Sequence, residues 1–206
     1  MLKYSIEFFG TFLLVTALGI SGNLLAIGLL LAALVYIGAD HSGAHFNPAV
    51  TLASWASDEI PTSKLFPYFT FQITGAIAAA GFIWWLNGST FLTEPASGTG
   101  LLQFAAVEFF FSFIFVLTFL KFIYPNKNRK NPVYGLMVGG TLGACYLFSE
   151  IYSGIGLNPA LSIGYASADF LNNGSFYINL PFYLFSPLIG GLTASYVHRL
   201  LSARSR

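Results

Sequence analysis

Charged residues are scarce in this chain. Asp, Glu, Lys and Arg together make up 8% of its 206 residues, and the formal net charge is +1. So few and such scattered charges exclude a basic surface for nucleic acid. Apolar residues make up 55% of the chain, and the mean hydropathy is +0.69. A soluble domain of this size needs no such excess, so the composition predicts an integral membrane protein.

Cysteine is almost absent, since Cys145 is the only one. A single thiol excludes an intramolecular disulfide and provides no metal-binding pattern. His45 has no second ligand at a zinc spacing. The chain also lacks a nucleophile and base at a plausible spacing, and it has no phosphate-binding loop. We therefore expect neither enzyme activity nor a metal or other cofactor.

Long apolar runs dominate the chain instead. Six are long enough to span a membrane, although the second is short. They cover residues 4–21, 23–38, 64–86, 101–122, 132–149 and 176–200. Lys3 precedes the first run as in a signal peptide, but Glu7 lies inside that run and the chain after it is equally apolar. The pattern therefore favours a first transmembrane helix.

The positions of the nine Lys and Arg residues agree with six spans and two cytoplasmic termini. In that topology every one lies at the cytoplasmic side, and the loops assigned to the outside contain none. The nine are Lys3, Lys64, Lys121, Lys127, Arg129, Lys130, Arg199, Arg204 and Arg206. We expect a multi-pass protein of the plasma (inner) membrane.

Two Asn-Pro-Ala triplets occupy corresponding places in the two halves of the chain. In each, an asparagine suited to an N-cap precedes a proline at the first helical position. The first helix extends about nine residues, or roughly 13 Å, whereas a hydrocarbon core is about 30 Å thick. Two such half helices predict a binding or conduction site near the membrane midplane. The triplets are Asn47, Pro48 and Ala49, and Asn158, Pro159 and Ala160.

The two halves also share a glutamate inside their first span. Glu7 is followed by Phe-Phe-Gly-Thr, and Glu108 by Phe-Phe-Phe-Ser. Because each half has three spans, the second must enter from the opposite face, which predicts one domain of two inverted repeats, about 4–86 and 104–200. A carboxylate inside a span needs partners. Its place in the first span of each half, ahead of that half's own half helix, favours a brace for the loop over a catalytic group or proton relay.

With these motifs the chain resembles the aquaporins, or major intrinsic proteins, over essentially its whole length. The resemblance implies an all-α membrane protein of six transmembrane helices and two re-entrant half helices, assembled as a homotetramer with one pore per protomer. It implies that the two asparagines direct amide donors into the pore, while the helix N-termini repel cations. The residues implied to brace the re-entrant loops are Glu7, Glu108, His45 and Gln72.

The resemblance also locates a selectivity filter, where this chain departs from the family pattern. Typical members have an arginine directly after the second triplet, and here that residue is Leu161. The other filter positions fall at Ile27, Tyr146 and Ile155, so the expected filter is apolar except for the tyrosine hydroxyl and loop carbonyls. Glu150 lies one helical turn beyond Tyr146. It is either a solvated residue at a span end or an outer-vestibule carboxylate that partly restores polarity.

We therefore predict a passive transmembrane channel for water that also admits small neutral solutes. In an apolar filter water loses hydrogen bonds worth about 1 kcal/mol each, which leaves open a facilitator that prefers glycerol, ammonia or hydrogen peroxide. An interpretation from another class is a poorly conducting structural or junctional membrane protein. The expected partners are water, small neutral solutes, membrane lipid and further copies of the chain.

Overall fold

The computed structural model describes residues 1–91, 93–124 and 131–203, and the secondary structure within these ranges is helical, without a β-strand. Six long and two short α-helices occur, as predicted, and the all-α fold is confirmed. They are α1 (Leu2–Ser21), α2 (Leu24–Gly38), α3 (Pro48–Ala56), α4 (Thr62–Asn87), α5 (Leu101–Ile123), α6 (Tyr134–Ser153), α7 (Pro159–Leu171) and α8 (Leu180–Ala203).

Length and hydropathy together identify four of the six predicted spans. Among the described residues α1, α4, α5 and α8 are long and apolar enough to cross a membrane. Helix α2 is apolar but has only 15 residues, about 22 Å at 1.5 Å per residue. Its start is set by Asn23, whose side chain accepts a hydrogen bond from the Ala26 amide at 3.1 Å. The short second span predicted from the sequence is therefore a short helix in the structure.

Two predicted span ends are wrong by about one helical turn. Helix α6 extends to Ser153 instead of stopping at residue 149, and it ends at Gly154, whose φ of 69° breaks the helix. Helix α8 begins at Leu180 instead of 176, because Phe176–Ile178 form a 3₁₀ turn. Of the nine basic residues, five lie outside the described residues: Lys127, Arg129, Lys130, Arg204 and Arg206.

The helix packing of one half recurs in the other. Helix α1 packs along α4, and α5 packs along α8, so the first and third spans of each half lie together. Helix α2 packs against α6 across the two halves. Each short helix lies against the third span of the other half, α3 on α8 and α7 on α4. This exchange brings the two half helices to the centre of the bundle.

Glycine allows the half helices to lie against long helices almost backbone to backbone. A Cβ added to Gly191 of α8 would lie 2.7 Å from the Ala49 carbonyl oxygen, and one added to Gly164 of α7 would lie 2.6 Å from the Ala76 carbonyl oxygen. Small residues at helix crossings permit such an approach in membrane proteins. The segments before the half helices are called the first re-entrant loop (residues 39–47) and the second re-entrant loop (residues 154–158).

Candidate functional site

The two Asn-Pro-Ala triplets meet and are hydrogen-bonded to each other. The Asn47 side-chain nitrogen donates to the Leu157 carbonyl at 2.8 Å, and the Asn158 side-chain nitrogen donates to the Phe46 carbonyl at 3.0 Å. Each acceptor belongs to the residue before the other asparagine. The exchange is reciprocal, so the structure places the two half-helix N-termini side by side.

Each asparagine also caps its own half helix. The Asn47 side-chain oxygen accepts from the Ala49 amide at 2.8 Å, and the Asn158 oxygen accepts from the Ala160 amide at 3.1 Å. Proline follows each asparagine in the first helical turn, where its missing N–H costs no hydrogen bond. A side-chain amide nitrogen carries two hydrogens. The link between the triplets uses one, and the second is left for the cavity that both asparagines line.

That cavity is narrow and mostly apolar. It leaves about 10 Å³ for the centres of water molecules, so it has room for very few of them. Besides the asparagines, His45 and Phe46, it is lined by Leu14, Ile27, Leu31, Phe115, Leu142, Tyr146 and Leu161.

Three of the four predicted filter residues line this cavity. They are Ile27, Tyr146 and Leu161, and all three are buried. Ile155 is also buried but is not part of the cavity lining. The structure thus brings together an apolar ring with one phenol, while the fourth predicted position lies elsewhere in the second re-entrant loop.

The sequence analysis missed five apolar residues of the lining, Phe46 in the first re-entrant loop and four in the spans. The internal repeat carries a signal for the four in the spans. Leu14 and Phe115 each lie seven residues after the glutamate of their span, which places them two helical turns further along the same face. Leu31 and Leu142 each lie 16 residues before the asparagine of their half. When the two halves are compared along their spans as well as at the triplets, the repeat indicates that Leu14 and Phe115 occupy equivalent positions, and likewise Leu31 and Leu142.

Glu7 is fully buried in α1 and holds the first re-entrant loop through both carboxylate oxygens. Oε1 accepts from the Ser42 hydroxyl at 2.6 Å and from the His45 amide at 3.0 Å. Oε2 accepts from the Phe46 amide at 2.7 Å and from the Gln72 side chain at 2.8 Å. Two loop N–H groups that no helix can satisfy are thereby satisfied inside an apolar environment.

The His45 ring is part of a closed hydrogen-bond network around Thr51. The Thr51 hydroxyl donates its one proton to the Asn47 carbonyl at 3.1 Å and accepts from Gln72 at 2.9 Å. With that proton on the Asn47 carbonyl, His45 Nδ1, 3.0 Å from this hydroxyl, is the nitrogen that carries a hydrogen and donates it. Nε2 then accepts from the Tyr124 hydroxyl at 2.6 Å. This network leaves the ring neutral, and among the described residues no group of three or more His, Cys, Asp or Glu could hold a metal.

Glu108, the counterpart of Glu7 in α5, is also fully buried but makes fewer contacts. Its Oε2 accepts from the Leu157 amide at 2.7 Å, which repeats the bond between Glu7 and Phe46. Its Oε1 has no hydrogen-bond partner among the described residues. Gly156 lies so close that an added Cβ would be 2.5 Å from Oε2. The Ser153 hydroxyl and the Gly156 amide also face this carboxylate, and the close bond that it makes to the second re-entrant loop is the one from Leu157.

Glu150 lies in the last turn of α6, where its side chain is exposed. The predicted span ended at residue 149, and the longer α6 places Glu150 inside the helix. It is not part of the cavity lining. The structure therefore does not bring this carboxylate to the apolar ring.

Comparison with known proteins identifies the family. The family model described as "Major intrinsic protein" matches residues 3–198. The chain therefore belongs to the major intrinsic protein family, a family of membrane channels, and the resemblance predicted from the sequence is confirmed. It is a multi-pass membrane protein with the fold of that family.

Individual relatives cover most or all of the chain. It is 33% identical to the "Glycerol uptake facilitator protein-like 6" of Lactiplantibacillus plantarum, over 98% of this chain and 99% of the relative. It is 30% identical to the "Probable aquaporin AqpM" of Archaeoglobus fulgidus, over 90% of this chain and 80% of the relative. It is 34% identical to the "Lens fiber major intrinsic protein" of Rattus norvegicus, over 86% of this chain and 67% of the relative.

A solved structure shows the same fold. The aquaglyceroporin from Plasmodium falciparum superposes with a TM-score of 0.84 and 21% sequence identity, over 98% of this chain and 97% of that one. The shared architecture agrees with the described helices, including the two short ones.

Proposed function

We propose that this protein is a passive channel that conducts water in single file past Asn47 and Asn158 and also passes small neutral solutes. The observation that carries the proposal is the pair of capping amides, each with a hydrogen left for the small cavity that both asparagines line. A water molecule there can accept hydrogen bonds from both amides. With its oxygen turned toward them, it cannot continue a proton relay along the file.

Cation exclusion follows from the same geometry. A helix N-terminus carries the equivalent of about half a positive charge, and two of them converge on this cavity. An arriving cation meets both at once, and the apolar lining offers it little to replace its water shell. Neutral molecules that accept hydrogen bonds meet no such barrier, so we propose that they are the substrates.

The apolar ring also supports a second candidate, a facilitator that prefers glycerol, ammonia or hydrogen peroxide. Ile27 and Leu161 offer no hydrogen bond, so water loses bonds worth about 1 kcal/mol each there and less polar solutes lose fewer. The name of the Lactiplantibacillus plantarum relative is in keeping with this candidate. The narrowness of the cavity supports a third, a poorly conducting structural or junctional membrane protein.

We further propose a homotetramer in the plasma (inner) membrane, in which each chain is one channel domain of inverted repeats, about 4–86 and 104–200. Both termini would be cytoplasmic. The described basic residues Lys3, Lys64, Lys121 and Arg199 lie at helix ends that this topology assigns to the cytoplasm. We also propose that Ile27, Tyr146, Ile155 and Leu161 form the selectivity filter. The residues proposed to brace the re-entrant loops are Glu7, Glu108, His45 and Gln72.

Shrinkage of proteoliposomes distinguishes the candidates. Vesicles that contain the purified protein are mixed with sucrose, which does not cross, or with glycerol, and the light scattering is followed. Fast shrinkage in both without re-swelling indicates a water channel, re-swelling in glycerol indicates a facilitator, and rates equal to those of empty vesicles contradict conduction. In the variant Leu161→Arg the new charge and donors replace an apolar wall, so we expect glycerol entry to fall relative to water entry.

A further inference from the structure

Two buried tyrosines occupy equivalent positions in the two halves. Tyr68 of α4 lies seven residues before Gly75, and Tyr183 of α8 lies seven residues before Gly190. Both side chains are almost completely buried. The sequence analysis assigned no role to Tyr68 and placed neither tyrosine at the site.

Each of these tyrosines binds a backbone carbonyl at a re-entrant loop, Tyr68 within the first loop and Tyr183 at the residue just before the second. The Tyr68 hydroxyl donates to the Ser42 carbonyl at 2.6 Å, and the Tyr183 hydroxyl donates to the Ser153 carbonyl at 2.5 Å. Each serine lies five residues before the pore asparagine of its half and is followed by a glycine with positive φ. The same contact therefore occurs twice, at the two points where the chain turns toward the pore.

Tyr183 differs from Tyr68 because its hydroxyl has a second acceptor. The Thr93 carbonyl, in the α4–α5 loop (residues 88–100), lies 2.6 Å from the Tyr183 hydroxyl. A phenol has one proton, so the Ser153 and Thr93 carbonyls share it. The loop backbone also rests on Gly154, where an added Cβ would lie 2.6 Å from the Glu94 carbonyl oxygen. The α4–α5 loop and the second re-entrant loop thus meet at one hydroxyl.

Aromatic packing holds the Tyr183 ring independently of that hydroxyl. Its centroid lies 4.5 Å from that of Phe104, edge to face, and 5.3 Å from that of Phe176, stacked. Removal of the hydroxyl therefore leaves the ring in place and deletes only the link between the two loops.

We propose that Tyr183 is a positioning residue for solute selectivity, which joins the α4–α5 loop to the second re-entrant loop and so fixes the wall that leads to Asn158 and Leu161. The inference rests on the proposed channel function. Without the hydroxyl, the Ser153 and Thr93 carbonyls lose their shared donor and the two backbones separate. The cavity between Tyr146 and Leu161 then widens, which favours a solute larger than water.

The test compares three Tyr→Phe variants in proteoliposomes. For Tyr183→Phe we expect the ratio of glycerol to water permeability to rise at least twofold. Tyr165→Phe is the matched control, because this buried hydroxyl donates to the Val15 carbonyl at 2.9 Å and so joins α7 to α1. Its ring packs on Phe91 of the α4–α5 loop, and the phenylalanine keeps that contact. For Tyr68→Phe we expect both permeabilities to fall together, since its bond reaches only the first re-entrant loop. A ratio in Tyr183→Phe equal to those of wild type and Tyr165→Phe overturns the proposal.

Hydrogen exchange provides a readout that does not depend on conduction. In Tyr183→Phe the amides of residues 93–94 and 153–157 should exchange faster as one unit, and in Tyr165→Phe they should not. If the exchange rates of these amides in Tyr183→Phe equal those of wild type, the proposed link between the two loops is wrong. A wild type that passes neither water nor glycerol contradicts the proposed function, while the exchange result still tests Tyr183. If Tyr183→Phe does not fold, Phe176→Leu loosens the ring and should raise the ratio less; no rise there also overturns the proposal.

Discussion

The two re-entrant loops have nearly the same backbone plan but are held in different ways. In both, a serine and a glycine lie five and four residues before the asparagine. A buried glutamate accepts from the amide of the residue before the asparagine, and that residue has positive φ, 53° at Phe46 and 55° at Leu157. The first loop is held by side chains from three helices. The second is held by the Leu157 bond to Glu108, by the Asn47 side chain, and by Tyr183 together with the backbone of the α4–α5 loop.

The difference can be traced to single positions of the repeat. Where the first loop has His45, the second has Gly156, and where α4 has Gln72, α8 has Pro187. Histidine and glutamine bring hydrogen-bonding groups to the first loop, and glycine and proline bring none. Backbone groups in an apolar bundle still need partners. In the second half, Gly156 and Pro187 cannot replace the hydrogen bonds of His45 and Gln72. The α4–α5 loop and the Tyr183 hydroxyl supply contacts to the second loop instead.

The largest expected effect is that of Glu7→Gln. Each carboxylate oxygen faces two donors, so either orientation of the new amide turns its NH₂ group toward two other donors. Two hydrogen bonds to a charged group are lost, at about 1.5–3 kcal/mol each. We expect the unfolding midpoint in detergent to fall strongly, together with water permeability. A midpoint within a few degrees of wild type would refute the idea that side chains hold the first loop.

Gly154→Ala probes the backbone contact of the second loop. A Cβ there would lie 2.6 Å from the Glu94 carbonyl oxygen, in a conformation with φ 69° and ψ −146° that favours glycine. Strain of this kind costs about 1–3 kcal/mol, and the steric overlap adds to it. Gly22→Ala is the control, because its φ is 58° but open space surrounds the position. Equal losses of thermal stability in the two variants would show that the neighbouring loop contributes nothing.

Glu108→Gln should cost much less than Glu7→Gln. One oxygen of Glu108 accepts from Leu157 and the other has no partner among the described residues, so the new amide can keep the bond through its oxygen. We expect a loss below about 1 kcal/mol in the free energy of unfolding. The two glutamine variants, measured side by side in the same detergent, test the comparison directly. Losses of similar size would mean that the two glutamates hold their loops equally.

The smallest expected effect is that of Glu150→Gln. The side chain is exposed and is not part of the cavity lining, and surface substitutions of this kind usually change stability by less than about 0.5 kcal/mol. We expect the solute ranking and its pH response to stay as in wild type, measured by vesicle shrinkage. A changed order of solute permeabilities would instead place this carboxylate in the outer vestibule, as a polar group that the second half contributes to the pore.

Much of the candidate site could be predicted from local patterns. Asparagine before proline marks a helix start, an apolar run of about 20 residues marks a span, and a glutamate inside such a run needs a partner. The repeat then implied that the half helices approach each other, and the bonds between Asn47 and Leu157 and between Asn158 and Phe46 agree with it. Ile155 was expected at the filter and lies outside the cavity lining, because the path of the second loop is not a local property.

By itself, the amino-acid sequence determined the membrane class, the succession of six long and two short helices, and the family. Those properties depend on hydropathy, caps and spacing along one stretch of chain. Only the tertiary structure decided that Glu7 has four hydrogen bonds and Glu108 one, and that Tyr183 joins two loops. These contacts link residues 30 to 90 positions apart, and whether such residues meet depends on how helices with small residues at their crossings pack.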